Sequence, residues 1–375
     1  MDWTALREEF PITQHYNFQN HAAVTPMCRS AVEAADAFCR NQMAHAYLAG
    51  DGYRTCERIR QVAAQFIHAN SDEICFIKNT SEGINFVANG LTWQSGDNIV
   101  TTNVEFPSNV HPWHALRARG VEVRMVFEEH GRIPLDRLIE SINARTRVVA
   151  ISSVQYASGF RTDLAALGTH CQEKGVLLCV DAIQSVGALP IDVEAMKIDF
   201  LAADGHKWMC GPEGLGIFYV RKEVQGYLKP TCLGWLSMKR SHDFDHHRYE
   251  LRDTAKRYDS GAYNLMGIHA LGGALDLLAG IGIEAISRRV LALTERLAEG
   301  VRRRGYHLLS SRREGEASGI VSFGSELHDH ETIRRHLLQE HRIVVAVRAK
   351  QLRASPHIYN SEQEIDQLIE VLPGH

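Results

Sequence analysis

Three short stretches of this sequence place residues able to do chemistry directly after apolar runs. The first, Lys78-Asn79-Thr80-Ser81-Glu82-Gly83-Ile84, follows a strand-like segment and opens a helix. The hydroxyls of Thr80 and Ser81 converge there with helical N–H groups, and the helix dipole favours an anion. An ordinary N-cap with a nearby glutamate reads equally well from the same residues. The second is Asp181, closing the apolar run Val176-Leu177-Leu178-Cys179-Val180, with Gln184 one turn further on. A carboxylate on a buried strand end needs a partner or a ligand, because an isolated buried charge is costly. The competing reading is a cap for the segment that follows. The third is Asp204-Gly205-His206-Lys207-Trp208, followed by Gly211-Pro212-Glu213-Gly214-Leu215-Gly216. Apolar surroundings lower a lysine's pKa and free its amine, against the solvated surface position that lysines usually occupy. An anion cradle, a strand-end acid and a buried lysine together fit pyridoxal phosphate. The acid would pair with the ring nitrogen while the lysine holds the aldehyde.

These residues need a rigid frame, and the flanking pattern supplies one. Strand-like runs at Ile74–Lys78, Asn98–Thr102, Val121–Phe127, Arg147–Ser152, Val176–Asp181, Phe200–Ala203 and Gly216–Val220 alternate with helical stretches. The helices are Glu82–Leu91, Asn109–Arg119 stopped by Gly120, and one capped by Asp163 and ended by Gly175. Apolar, non-alternating strands separated by helices predict an α/β domain whose sheet is mostly parallel and covered on both faces. Ligands bind such sheets beyond the carboxyl ends of the strands, where all three stretches lie. Amphipathic helices are expected at Met27–His45 and Arg54–His68, and long ones at Leu265–Ala279 and Ile283–Arg304. Strand-like Gly319–Phe323 and Arg342–Val347, with helices Glu331–Glu340 and Glu362–Val371, predict a smaller α+β domain near the C-terminus.

Composition narrows the function class. At 375 residues, with 45% hydrophobic residues and 23% charged, the chain can bury a sizeable core as two or three units. A net charge of −4 argues against nucleic acid or an anionic membrane as partner. No apolar stretch reaches the ~20 residues of a membrane helix, and the start lacks a signal-peptide pattern, so the expectation is a cytoplasmic protein. The eight cysteines, all before residue 233, include no Cys-x-x-Cys pair. His242, His246 and His247 with Asp243 and Asp245 lie in a charged stretch without a ligand frame, so no metal site is expected.

The motifs Asn79-Thr80-Ser81-Glu82-Gly83, Val180-Asp181-Ala182, His206-Lys207-Trp208 and Gly211-Pro212-x-Gly214-x-Gly216 occur in an order that resembles class V aminotransferases. That group includes cysteine desulfurases and isopenicillin-N epimerases. Arg257-Tyr258-Asp259-Ser260-Gly261 and Arg353-Ala354-Ser355-Pro356-His357-Ile358-Tyr359-Asn360 match as well, so the resemblance spans essentially the whole chain. It implies the pyridoxal-phosphate-dependent transferase fold, with a large domain whose mostly parallel mixed sheet lies between helices and a smaller α+β C-terminal domain. The expected divisions are an N-terminal segment at 1–25 packing on the small domain, a large cofactor domain at 26–260, and a long helix with the small domain at 261–375. By the same resemblance Lys207 bonds the cofactor and moves the α-proton, Asp181 holds the pyridine nitrogen, and Gln184 hydrogen-bonds the phenolic oxygen. Thr80, Ser81 and His206 bind the phosphate. Phe106 stacks on the ring, unless it is simply a core residue after a strand. Arg353 grips the substrate carboxylate; Arg348 is either its neighbour or a plain surface arginine, and His21 either reaches the site or braces a loop.

Two positions depart from the family's pattern. Asp204 stands where many relatives carry a small polar residue beside the phosphate, and Ala262 stands where relatives offer a hydroxyl to the neighbouring subunit. The resemblance implies a homodimer with the site at its interface and an amino acid or amine substrate. It leaves amino transfer as the first expectation, with C–S lyase, β-elimination or epimerisation as alternatives and a non-catalytic binding protein as a further one. The desulfurases carry their sulfur-accepting cysteine on a loop just before the segment matching Leu352-Arg353-Ala354-Ser355. Here only four residues separate Arg348 from Arg353 and none is cysteine, which argues against an enzyme persulfide.

Overall fold

The computed structural model describes residues 2–50 and 52–374. Strands are numbered in chain order: β1 (Asn17–Phe18), β2 (Ile74–Ile77), β3 (Asn98–Thr102), β4 (Glu122–Val126), β5 (Thr146–Ser152), β6 (Leu177–Asp181), β7 (Phe200–Asp204), β8 (Gly216–Val220), β9 (His307–Leu308), β10 (Val321–Gly324), β11 (Ile343–Val344), β12 (Ala346–Arg348) and β13 (Gln351–Ala354). The seven-stranded sheet has the order β2-β8-β7-β6-β5-β3-β4. Strands β7, β6, β5, β3 and β4 run parallel, whereas β8 is antiparallel to both of its neighbours. Every residue of β3, β7 and β8 is buried, because helices cover both faces. Strand β6 shows the consequence: Leu178 and Val180 enter one apolar layer, Cys179 enters the other, and Asp181 closes the strand at its carboxyl edge.

The helix Thr80–Gly90 lies on this sheet unusually closely. A Cβ on Gly83 would sit 2.8 Å from the Ala202 methyl, so only glycine lets the helix settle with its N-terminus at the strand ends. The expected helix Asn109–Arg119 is split by Pro112 geometry into a helix His111–Ala115 between two 3-10 turns, and Gly120 ends it in the left-handed region at φ 78°. Among the described residues no single helix is long and apolar enough to cross a membrane. The apolar helix Leu265–Ile281 is instead a core element, packed against the helices Arg29–His45 and Gly52–Gln65.

The last hundred residues build a four-stranded sheet, β12-β13-β10-β9, beneath the helices Ile283–Arg303, His330–His341 and Glu362–Val371. The run expected as one strand at Arg342–Val347 is two: β11 pairs in parallel with β1, and β12 pairs with β13. The first residues of the chain are thereby tied to its end. Asn17 donates to Arg342 O at 3.0 Å, and the N–H of His21 donates to Ser355 O at 3.1 Å.

Candidate active site

Three parts of the chain meet around a cavity of about 300 Å3 at the carboxyl edge of the large sheet. Thr80, Ser81, Phe106, Asp181, His206, Lys207, Arg348 and Arg353, all singled out in the sequence, line it. A larger cleft of about 880 Å3 lies at the opposite ends of the strands, beside Thr146, Leu177 and Asp199. It contains none of the residues named above, so chemistry rather than size identifies the site.

The helix N-terminus shows the N-cap reading directly. Asn79 is the cap, its side chain accepting from Glu82 N at 3.0 Å, and Glu82 accepts in turn from Lys78 N at 2.7 Å. Neither bond uses Thr80 or Ser81, and both residues line the cavity. Ser81 Oγ bonds Ser108 Oγ at 2.8 Å, and Thr80 Oγ1 accepts from Asp204 N at 3.3 Å. Asp204 Oδ1 lies 3.1 Å from His206 Nδ1, although neither atom makes a hydrogen bond.

Lys207 is 8% exposed, and burial pulls its amine down to about 8 although Asp181 opposes the shift. Asp181 is pushed up to about 7, chiefly by burial and with a contribution from the Glu105 charge, while Ile183 N donates to it at 3.1 Å. Glu105 itself is buried and saturated. It accepts from Ser152 N at 2.9 Å, Gln155 Nε2 at 2.7 Å, Asn109 Nδ2 at 2.9 Å and Ser152 Oγ at 2.5 Å. That network fixes the loop carrying Phe106, whose ring centroid stands 5.5 Å from Lys207 Nζ. Tyr156 meets the same ring edge-on at 5.2 Å.

Arg353 forms the far wall. It is 1% exposed, donates from Nη1 to Tyr156 O at 2.6 Å, and approaches Asn20 Oδ1 at 3.5 Å. Its Nε has no partner, and among the described residues no carboxylate pairs with it. Burial, then Arg348, brings its guanidinium down to about 9. A buried cation without an anion marks a place for an anionic ligand.

Gln184 is placed differently from the expectation. Its amide donates to Ala22 O at 3.0 Å and accepts from Trp208 Nε1 at 2.9 Å, so both ends are engaged by protein. It braces the N-terminal segment and the residue after Lys207, and it does not line the cavity. His21 likewise contacts Ser355 O at 2.8 Å and Tyr359 Oη at 2.7 Å as a buried brace. Ala262 lies on a separate cavity with Lys78, Glu82 and Cys232. Sequence reasoning gave no role to Tyr156 or Glu105. The strand-end rule would have found both, since each follows a parallel strand within a few residues.

The donor set fits pyridoxal phosphate on its own evidence. An acid held near neutrality can pair with a ring nitrogen, a desolvated lysine faces it, and a capped helix N-terminus offers N–H groups to a phosphate. Comparison with known proteins agrees. The family model described as aminotransferase class V matches residues 16–368. A probable cysteine desulfurase of Methanothermobacter thermautotrophicus is 33% identical over 98% of this chain and 96% of its own length. The apo cysteine desulfurase of Thermococcus onnurineus NA1 superposes with a TM-score of 0.89 at 29% identity, covering 98% of this chain and 96% of that one. C-DES, described as a cystine C–S lyase, has been solved with cysteine persulfide as product, with a TM-score of 0.89 at 25% identity over 96% of this chain and 98% of that one. A variant of it holds glycine covalently linked to its pyridoxal phosphate, with a TM-score of 0.90 at 25% identity over 97% and 98%. The chain belongs to the class V aminotransferase family of pyridoxal-phosphate-dependent enzymes.

Proposed function

We propose that this enzyme takes an α-amino acid, removes its α-proton with Lys207 and transfers its amino group, acting in the cytoplasm. The observation that carries the reading is Arg353, a buried guanidinium without a carboxylate partner that lines the cavity with Lys207. When bound, pyridoxal phosphate supplies an electron sink for charge developing at the substrate's α-carbon. The chain's own residues supply the rest. Arg353 fixes the carboxylate in a planar fork and thereby aims the α-hydrogen, because a fixed geometry about the α-carbon selects which bond breaks. Lys207, at about 8, can both accept and return a proton near neutral pH. Asp181 would hold the ring nitrogen, Phe106 would offer a stacking face, and the helix opening at Thr80 and Ser81, with His206, would hold the phosphate. The reading includes a homodimer with the cavity at its interface. Val24 and Phe106 support it, being 47% and 41% exposed while lining the cavity.

A second reading is β-elimination from a sulfur-bearing amino acid without an enzyme persulfide. It is favoured by the two-residue turn between β12 and β13, which leaves no room for a cysteine-bearing loop, and by the likeness to C-DES. One experiment tests both. The purified protein, loaded with cofactor, should show a visible-edge absorbance band that Lys207→Ala abolishes. Incubation with amino acids and a keto-acid acceptor should then yield the corresponding keto acid. Release of sulfide and pyruvate from cysteine or cystine would select the second reading, and absence of the band would overturn both.

A further inference from the structure

One atom of pyridoxal phosphate still lacks a partner in this cavity. Opposite the ring nitrogen lies the carbon that bonds a lysine, flanked by the phosphate-bearing arm and by a phenolic oxygen. Asp181, Lys207 and the helix opening at Thr80 and Ser81 provide for the nitrogen, the carbon and the phosphate. The phenolic oxygen falls on the side away from the phosphate. It carries negative charge when the cofactor is joined to a lysine, and a charged oxygen held out of water needs a donor. Gln184, the residue expected to supply one, lies outside the cavity with its amide engaged by Ala22 O and Trp208 Nε1.

Tyr156 brings a hydroxyl to that side. It lies just beyond β5, and its backbone is held from two directions. Its neighbour Gln155 donates to Glu105 Oε1 at 2.7 Å, and its own carbonyl accepts from Arg353 Nη1 at 2.6 Å. Its ring stands at 77° to that of Phe106, with centroids 5.2 Å apart, so it flanks the proposed stacking face. The phenol raises the Arg353 guanidinium, so its oxygen lies toward that far wall. Tyr156 lines the cavity, yet among the described residues its hydroxyl has no hydrogen-bond partner. The other hydroxyls belong to the phosphate side: Ser81 bonds Ser108, and Thr80 accepts from Asp204 N. The fork of Arg353 suits a carboxylate better than a single oxygen.

We propose that Tyr156 is a catalytic residue whose hydroxyl donates a hydrogen bond to the cofactor's phenolic oxygen, the role expected of Gln184. This rests on the reading of the cavity as the pyridoxal phosphate site. A donor there steadies the negative charge of the oxygen and weakens its hold on the proton it shares with the Lys207 nitrogen. The junction between lysine and cofactor therefore loses that proton at a lower pH. Tyr156 also joins two parts of the site, since its carbonyl holds Arg353 while its hydroxyl sets proton affinity at Lys207.

Tyr156→Phe removes the hydroxyl and keeps both the ring and the carbonyl. The test is a pH titration of the visible-edge band in cofactor-loaded enzyme, without any amino acid. The midpoint should lie about one to two pH units higher in the variant, the size of one hydrogen bond to a charged group. At fixed pH the band maximum should also move to longer wavelength, because the phenolic oxygen has lost its donor. Where the native band does not titrate in the accessible range, the wavelength alone decides. A variant band with unchanged midpoint and maximum, or with a lower midpoint, overturns the proposal. Failure of the underlying reading is separately visible as absence of the band from the native enzyme.

Discussion

Arg348 and Gln351 face each other as register partners of β12 and β13, with only Ala349 and Lys350 turning the chain between them. A two-residue hairpin of this kind favours Asn-Gly, because both central residues need positive φ. The double variant Ala349→Asn, Lys350→Gly should therefore raise stability by about 1 kcal/mol or more. Urea denaturation should show a higher midpoint with an unchanged slope. A lower midpoint would mean that the surrounding contacts, not the turn, set this conformation.

Asp181 gives a pH-dependent prediction whose sign follows from burial. Its pKa is raised from 3.8 to about 7, so in the cofactor-free protein it contributes stability below pH 4 that is lost as pH rises through 7. Asp181→Asn replaces a carboxyl that is already neutral at pH 5 but charged at pH 8. Because the unfolded carboxyl is already ionised at pH 5, the apo variant should gain on the native protein by roughly 1–3 kcal/mol between pH 5 and pH 8. Denaturation at the two pH values checks this, and the same variant should lose most activity once loaded with cofactor.

Glu105→Gln tests the network behind Phe106. The carboxylate accepts four hydrogen bonds, and an amide turns one acceptor atom into a donor facing donors. A loss of about 2–4 kcal/mol is expected, typical of a broken buried polar network. The Asp181 carboxyl should also titrate lower, since the Glu105 charge raises it. An unchanged stability would show that the amide finds equivalent partners.

Arg353→Lys separates carboxylate recognition from the rest of the chemistry. The lysine keeps the charge but loses the fork, so KM for amino acids should rise about 10–100-fold. KM for an amine lacking the carboxylate should stay constant. A parallel rise for the amine would assign Arg353 to holding Tyr156 rather than substrate.

Most of the large sheet was legible because burial on both faces writes strands as continuous apolar runs, as in Val176–Asp181. The same uniformity hid the reversed direction of β8, since a strand buried on both sides carries no alternation to orient it. Strand β13 went unread because Gln351 and Arg353 break its apolar pattern; only tertiary contact reveals that Arg353 is buried. Lys207, Asp181, Thr80 and Ser81 could be read from local context, each at the end of a run. Gln184 could not, because its partners Ala22 and Trp208 come from opposite directions in the chain. Tyr156 carries no motif, and only its place just after β5 could have signalled it.

The parallel pairing of β1 with β11 has a consequence for how the protein is made. Residues 17–18 leave the ribosome more than three hundred positions before their partners at 343–344. Contacts so distant in sequence form late, because loop closure must precede them. A nascent chain can assemble the wall bearing Lys207 and Asp181 while Ala22–Val24 still lack the β1–β11 pairing and Arg353 has yet to emerge. Cofactor offered during synthesis would meet an open shelf, and the enclosed pocket would appear only after the final strands emerge.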